Sequence, residues 1–399
     1  MEAHFYEWAN LLVRWAHVVA AIMWIGDSFL FMWLDSHLTP SERSKQPGQD
    51  AVVGELWMVH SGGFYEVYKR KYLKPGEMPQ DLYWFKWESY STWLSGALLL
   101  VVVYYMSGSG FMVEADGPLS HRLAIVAAVL AIGCAWLAYD ALCFTPLAKN
   151  LRVLGVFGLV AVTAVAFGFT RIFTARAAYL HTGALLGTIM ACNVFFRIIP
   201  SQKALLAATK AGTTPDVTLG LRAKMRSTHN HYLTLPVLFT MLSNHFPSVY
   251  GHALSWLVLG CVFVLGVSMK RLMITKRQSH PMVIGAAIVS AVTVLVMTAP
   301  ARAPAAVDPG GPKVPFAAVK QIMELRCTGC HATKPTISGI AAPPNGLVLE
   351  SPAVIRDKRE LIKLRAVTTK TMPLGNLTAM TDEERKTLER WIDQGAAIE

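Results

Sequence analysis

Eight stretches of mostly apolar residues punctuate this chain, near 8–34, 90–110, 120–144, 152–173, 177–199, 231–249, 251–269 and 281–299. Each is about the 20 residues that a helix needs to cross a hydrocarbon core ~30 Å thick. In lipid every backbone polar group must be paired internally, so runs of this kind fold as helices. Composition agrees: 53% of the 399 residues are hydrophobic and 16% are charged, where a soluble domain carries about a quarter charged. The expected fold is all-α, a polytopic membrane helical bundle of about eight spans over residues 1–299. The first span opens with Met1-Glu2-Ala3-His4 and lacks a basic n-region and a clear cleavage site, so it reads as a retained helix.

Lysine and arginine placement sets the expected orientation. The connections after spans 1, 3, 5 and 7 hold Lys69, Arg70, Lys71, Lys86, Lys149, Lys203, Arg222, Lys224, Arg226, Lys270 and Arg271 among others. Those after spans 2, 4 and 6 offer little beyond Arg122, Arg171 and Arg176. The odd-numbered connections therefore face the cytoplasm, and both termini lie on the periplasmic side of a bacterial inner membrane. The formal charge of +11 belongs mostly to those connections, since residues 315–399 hold 12 Lys/Arg against 10 Asp/Glu. The basic balance reports membrane orientation, and no nucleic-acid partner is expected. Cys134, Cys143, Cys192 and Cys261 sit singly in apolar runs, where cysteine behaves as a small hydrophobe.

Residues 300–314, rich in Pro, Ala and Gly, read as a tether to a module at 315–399. That module carries Cys327-Thr328-Gly329-Cys330-His331, the attachment signature of a c-type haem. The thiols add to the haem vinyl groups and the histidine ligates the iron. A zinc half-site or a redox dithiol leaves the adjacent histidine unexplained, and no second Cys pair follows to complete a zinc site. An amphipathic helix, Phe316 to Arg326, leads into the motif. A final helix opens at Thr381 with Glu384 three residues on, a capping box, and presents Leu388, Trp391 and Ile392 to the first. Met372, in the loop before that helix, is the expected second iron ligand, with Met380 its rival. The pattern is that of a small class I cytochrome c, exposed in the periplasm where c-type haem is attached.

Polar residues inside apolar spans are costly and mark candidate sites, with pairing between helices as the plain alternative. His17, Trp24 and Asp27 share one face of the first span. Trp84, Glu88, Thr92 and Ser95 form a stripe at the start of the second. Asn193 and Arg197 share a face at the cytoplasmic end of the fifth, with His181 near its outer end, and His229-Asn230-His231-Tyr232 opens the sixth. Together they outline an anion-accepting cavity open to the cytoplasm, with Arg197 as counter-charge. The long first connection, 35–89, is unusually aromatic, so part of it is expected over the cavity mouth or in the interface. Its Ser61-Gly62-Gly63 is a hinge or a turn.

The chain resembles the bacterial membrane-bound, cytochrome-c-linked urate oxidases (urate hydroxylases) along essentially its full length. The resemblance rests on Arg14-Trp15-Ala16-His17 with Met23-Trp24-Ile25-Gly26, on Ser61-Gly62-Gly63-Phe64-Tyr65, and on Trp84-Phe85-Lys86-Trp87-Glu88 before Thr92-Trp93-Leu94-Ser95-Gly96. His181-Thr182-Gly183-Ala184, Gly187-Thr188-Ile189-Met190, Asn193-Val194-Phe195-Phe196 and Ile199-Pro200-Ser201-Gln202 continue it, and the fused haem motif completes it. It implies oxidation of urate with water to 5-hydroxyisourate, without direct peroxide formation. Electrons would pass through the haem to a soluble or membrane cytochrome c, or a terminal oxidase, of the respiratory chain. Urate is a planar monoanion at neutral pH, so its site needs a cation, an aromatic face and proton acceptors. The expected site residues are Arg197, Glu88, Asn193, Asp27, His17 and Trp87, beside the haem set Cys327, Cys330, His331 and Met372. A cavity near the cytoplasm lies most of a bilayer from a periplasmic haem. Either substrate binds higher, near His17 and His181, or a b-type haem held by histidines of different helices bridges the gap. From the residues alone, a quinol-oxidising protein and a plain electron carrier compete with the enzyme.

Overall fold

The computed structural model describes residues 2–45, 51–73, 77–275, 280–299, 312–337, 340 and 342–398. The expected tether, over 300–311, lies outside them. The N-terminal bundle, expected to be the membrane domain, is built from α1 (Glu2–His37), α2 (Trp87–Leu100), α3 (His121–Leu142), α4 (Leu151–Ile172), α5 (Ala175–Cys192), α6 (Ile199–Lys210), α7 (Val217–Leu242), α8 (Ser255–Ile274) and α9 (Pro281–Thr298). Short polar side chains start several of them by accepting the first free amides. Asn150 Oδ1 takes the amides of Arg152 and Val153, Thr174 Oγ1 that of Ala177, and Asp216 Oδ1 that of Thr218.

Among the described residues, six helices are long and apolar enough to cross a membrane: His4–His37 within α1, α3, α4, the continuous run Ala175–Lys210, α8 and α9. The other two expected spans fall on α2 and α7. A π turn, Val101–Tyr105, carries α2 on. A second π turn, Asn193–Ile198, joins α5 to α6, so the fifth helix runs past its expected end at 199. The α7 helix starts at Val217, well before the expected 231. Its first half carries Arg226, His229 and Asn230, which are buried inside the bundle. Inward polar groups dilute the apolar signal that marks a span.

The all-α expectation needs one correction. Residues 35–89 contain an antiparallel hairpin, β1 (Val52–His60) with β2 (Gly63–Arg70), in which Trp57 faces Glu66 and Val59 faces Phe64. Ser61 and Gly62 form its turn, both at positive φ (51° and 76°), the backbone that two-residue hairpins require. β-branched and aromatic residues on either side favour strands over helix. The amides of Thr39 and Glu55 each donate to the other residue's carbonyl, tying the hairpin to the end of α1, and Thr209 Oγ1 of α6 donates to Leu73 O.

In the bundle, α1 packs on α2, α3 and α4 on α5, α5 on α7, and α8 on α4, α7 and α9. The main core gathers Ala124, Ala128, Phe169, Ala177, Tyr179 and Leu259. The C-terminal module has its own core. Its α10 (Phe316–Arg326) packs on α11 (Asp382–Asp393), with the Phe316 and Trp391 rings 5.9 Å apart. Met323, Leu388, Ile355 and Met380 fill it. The module seats on the bundle through its 369–377 loop, which meets residues 109–115 and Gly251, and through Arg365, which bonds Tyr250.

Candidate functional site

The densest buried polar network sits where α3, the π turn after α5, and α7 meet. Asp140 receives a bidentate fork from Arg197, whose Nε lies 2.9 Å from Oδ1 and whose Nη2 reaches Oδ2. Arg226, 3% exposed, donates to the same carboxylate at 2.7 Å and to Asn193 Oδ1 at 3.2 Å. Fully buried Asn193 donates to Tyr139 Oη (3.1 Å) and Asn230 Oδ1 (2.9 Å). Tyr139 Oη pairs with His229 Nδ1 at 2.7 Å. The buried His229 Nε2 has no hydrogen-bond partner among the described residues. Two guanidiniums thus share one carboxylate, over the rings of Phe144 and Tyr139, and the network keeps an unbalanced positive charge. Such a network is chemically suited to a planar anion.

A second polar cluster lies between α1 and α2. His17 Nδ1 is 3.0 Å from Thr92 O and 3.1 Å from Ser95 Oγ. Gly96 makes the approach possible, because a Cβ there would stand 2.9 Å from His17 Cε1. Asp27 stands on α1 and Glu88 on α2, and Glu88 Oε2 is buried without a hydrogen-bond partner among the described residues.

The site expected from the sequence is therefore divided. Arg197 and Asn193 belong to the first network, His17, Asp27 and Glu88 to the second, and no direct bond joins the two sets. The helices between them do touch: Trp93 Nε1 donates to Thr188 Oγ1 at 3.1 Å, and Tyr90 packs on Phe195. Trp87 is largely exposed, 5.9 Å from the Tyr90 ring. Arg197 is no free counter-charge, since Asp140 holds it. His181 is fully buried among Tyr104, Tyr105 and Phe173, with Nδ1 2.8 Å from Ala177 O and Nε2 3.3 Å from Tyr105 Oη. Both nitrogens are occupied, which favours a packing role for it.

Sequence reasoning missed Asp140, Tyr139 and the part played by Arg226. Asp140 carried a usable signal, being an acid inside the apolar run 120–144, where charge is costly. Arg226 was hidden among the basic residues of a supposed connection. Lys270 of α8 was also counted as a loop charge. It is fully buried, 3.5 Å from the centre of the Phe29 ring, with no hydrogen-bond partner among the described residues.

In the C-terminal module, Cys327 closes α10 and the short helix Thr328–His331 brings Cys330 one turn on. His331 Nδ1 is 3.0 Å from Leu347 O. A carbonyl only accepts, so Nδ1 carries the proton and Nε2 is left as a free donor pair for iron. Burial pushes the Cys327 thiol up to about 12 and also raises Cys330. Thiols held protonated are poor nucleophiles for exchange, which speaks against a redox dithiol. Arg385 donates to Met372 O at 2.9 Å and to Asn376 Oδ1 at 3.2 Å, which shapes the loop before α11. Met380 is 3% exposed within the module core, while Met372 is only partly buried. This donor set fits a covalent haem with His331 as one iron ligand and Met372 as the other candidate.

No curated protein and no solved structure is a significant match to the chain. The family described as urate oxidase N-terminal matches residues 3–301, the whole membrane domain and three quarters of the sequence. The chain belongs to the urate oxidase N-terminal family.

Proposed function

We propose that this protein is a membrane-bound urate oxidoreductase of the bacterial inner membrane, built on about eight spans, with its C-terminal module a periplasmic cytochrome c. Urate and water go to 5-hydroxyisourate with release of two protons and two electrons. When bound through Cys327, Cys330 and His331, haem c supplies a one-electron acceptor outside the bundle. The electrons then leave, one at a time, to a cytochrome c or terminal oxidase. One observation carries the reading: a urate oxidase family domain has a Cys-x-x-Cys-His module seated directly on it.

The chain's own residues supply what urate chemistry needs. The surplus positive charge of Arg197 and Arg226 over Asp140 receives the monoanion. Asn193 orders those guanidiniums from the inside. Glu88 and Asp27, carboxylates of the α1–α2 pair, accept the released protons.

The test is anaerobic: urate is added to the oxidised, haem-loaded protein in detergent, and the haem c absorption bands are followed. Rapid reduction with 5-hydroxyisourate or its breakdown products is expected. Reduction by a quinol and none by urate would move the protein to quinol oxidation. Arg197→Ala and Glu88→Gln should each slow urate-driven reduction, and normal turnover in both would remove these residues from the site.

A further inference from the structure

The contact between the C-terminal module and the membrane domain is made glycine on glycine. A Cβ on Gly110 would lie 2.5 Å from Leu377 Cγ and 2.9 Å from Leu374 O. One on Gly375 would lie 2.6 Å from Gly110 Cα and 2.8 Å from Val113 O. One on Gly251 would lie 2.7 Å from Thr369 Cβ and 2.9 Å from Thr371 Cγ2. No side chain fits at these points without moving backbone.

Polar bonds fix the register of that contact. Ala115 N donates to Gly375 O at 2.9 Å, and Arg365 Nη1 donates to Tyr250 Oη at 3.1 Å. On the module side these contacts fall between Arg365 and Leu377, a segment that contains Met372. On the membrane side, the 109–115 loop is held down by Thr174, whose amide donates to Met112 O at 2.9 Å and whose hydroxyl donates to Phe111 O at 3.1 Å. Thr174 is also the cap of α5. The loop that carries the candidate iron ligand is therefore rigidly joined to the start of the most buried helix. A module that merely swung on a tether would need neither bare glycines nor a bond in register.

We propose that the 369–377 loop is a docking key. It locks the module on the membrane domain in the one orientation from which electrons enter the haem, and Gly110 and Gly251 are the positioning residues of the lock. This rests on the redox reading above, and the test separates the two.

The full-length, haem-loaded protein is prepared as wild type, Gly110→Val, Gly251→Val and Arg365→Gln. Gly375 is left alone, because its positive φ of 54° makes substitution disturb the Met372 loop itself. Two quantities are read: hydrogen exchange at the Ala115 amide, and the rates of haem reduction by urate and by ascorbate. Exchange should rise at least tenfold in both valine variants and severalfold in Arg365→Gln. Urate-driven reduction should fall in the same order, while ascorbate, which needs no docking, reduces all four at one rate. Valine variants that exchange freely yet accept electrons from urate at the wild-type rate would overturn the proposal. So would an Ala115 amide that stays protected in both. If urate fails to reduce even the wild type, the redox reading falls, and the exchange arm still decides whether the lock exists.

Discussion

Asp140 is the residue on which the buried network turns. It is the only carboxylate bonded to Arg197 and Arg226 among the described residues, and Arg226 is 3% exposed. A buried ion pair adds little net stability, but removing one partner strands the other charge away from water at a cost of about 3–5 kcal/mol. Asp140→Asn should therefore destabilise the bundle by that order. Arg197→Gln should cost much less, because the Arg197 side chain is 38% exposed and Arg226 would still neutralise the acid. Thermal unfolding of both variants in one detergent checks the ranking, and equal losses would refute it. Asp140 was readable from the sequence as a lone acid within an apolar run. Its two partners were not, because nothing in a linear sequence says that α3, α5 and α7 converge at their far ends. The same blindness made Arg197 look like a free cation.

At the scale of single elements, the last helix shows how a local motif becomes stability. Thr381 Oγ1 accepts the Glu384 amide at 3.2 Å while Glu384 Oε2 takes the Thr381 amide at 2.7 Å. Arg326 of α10 closes on the same carboxylate at 3.0 Å, so the cap also ties the first and last helices of the module together. Burial alone pulls the Glu384 carboxyl up, but the Thr381 amide and the Arg326 guanidinium more than offset it and hold it below the ordinary carboxylate value. A carboxyl depressed in the folded state contributes stability above its unfolded pKa and loses it as pH falls through the folded one. Acid should thus weaken the module on descent below the ordinary glutamate range, and Glu384→Gln should flatten that slope. Thr381→Ala should cost about 1 kcal/mol. Unfolding of the module against pH, followed by tryptophan fluorescence from Trp391, reads both effects. This helix was fully legible because a capping box is a contact between residues three apart. The hairpin in residues 35–89 was legible in retrospect from Ser61-Gly62 between β-branched and aromatic runs. Reading 35–89 as one aromatic connection, with Ser61-Gly62-Gly63 either a hinge or a turn, left the pairing of the two flanking runs unread.

For the whole molecule the governing quantity is depth. Asn193 stands 18 residues beyond the start of α5, about 27 Å at 1.5 Å per residue, and the C-terminal module seats near that start. Most of the thickness of a bilayer core would therefore separate the cationic network from the haem proposed for that module. His17 lies between them. It packs on Gly96, nine residues before Tyr105 at the module-facing end of α2, so about 13 Å below that end. His181, the other histidine expected in the outer half, has both nitrogens bonded and would have to surrender Tyr105 to hold a b-type haem. On the proposed function, and with no second haem, urate captured at Arg226 would travel toward His17 before it is oxidised. Capture and chemistry then separate kinetically. Arg226→Lys, which keeps the charge but loses the fork, should raise KM severalfold and leave kcat nearly unchanged. His17→Gln should lower kcat by a hundredfold or more with little change in KM. A pyridine haemochrome assay on the same preparations should find one haem, of c type, per chain. A haem b signal lost in His17→Gln would replace this division of labour with a relay, in which substrate stays at Arg226 and electrons make the journey instead.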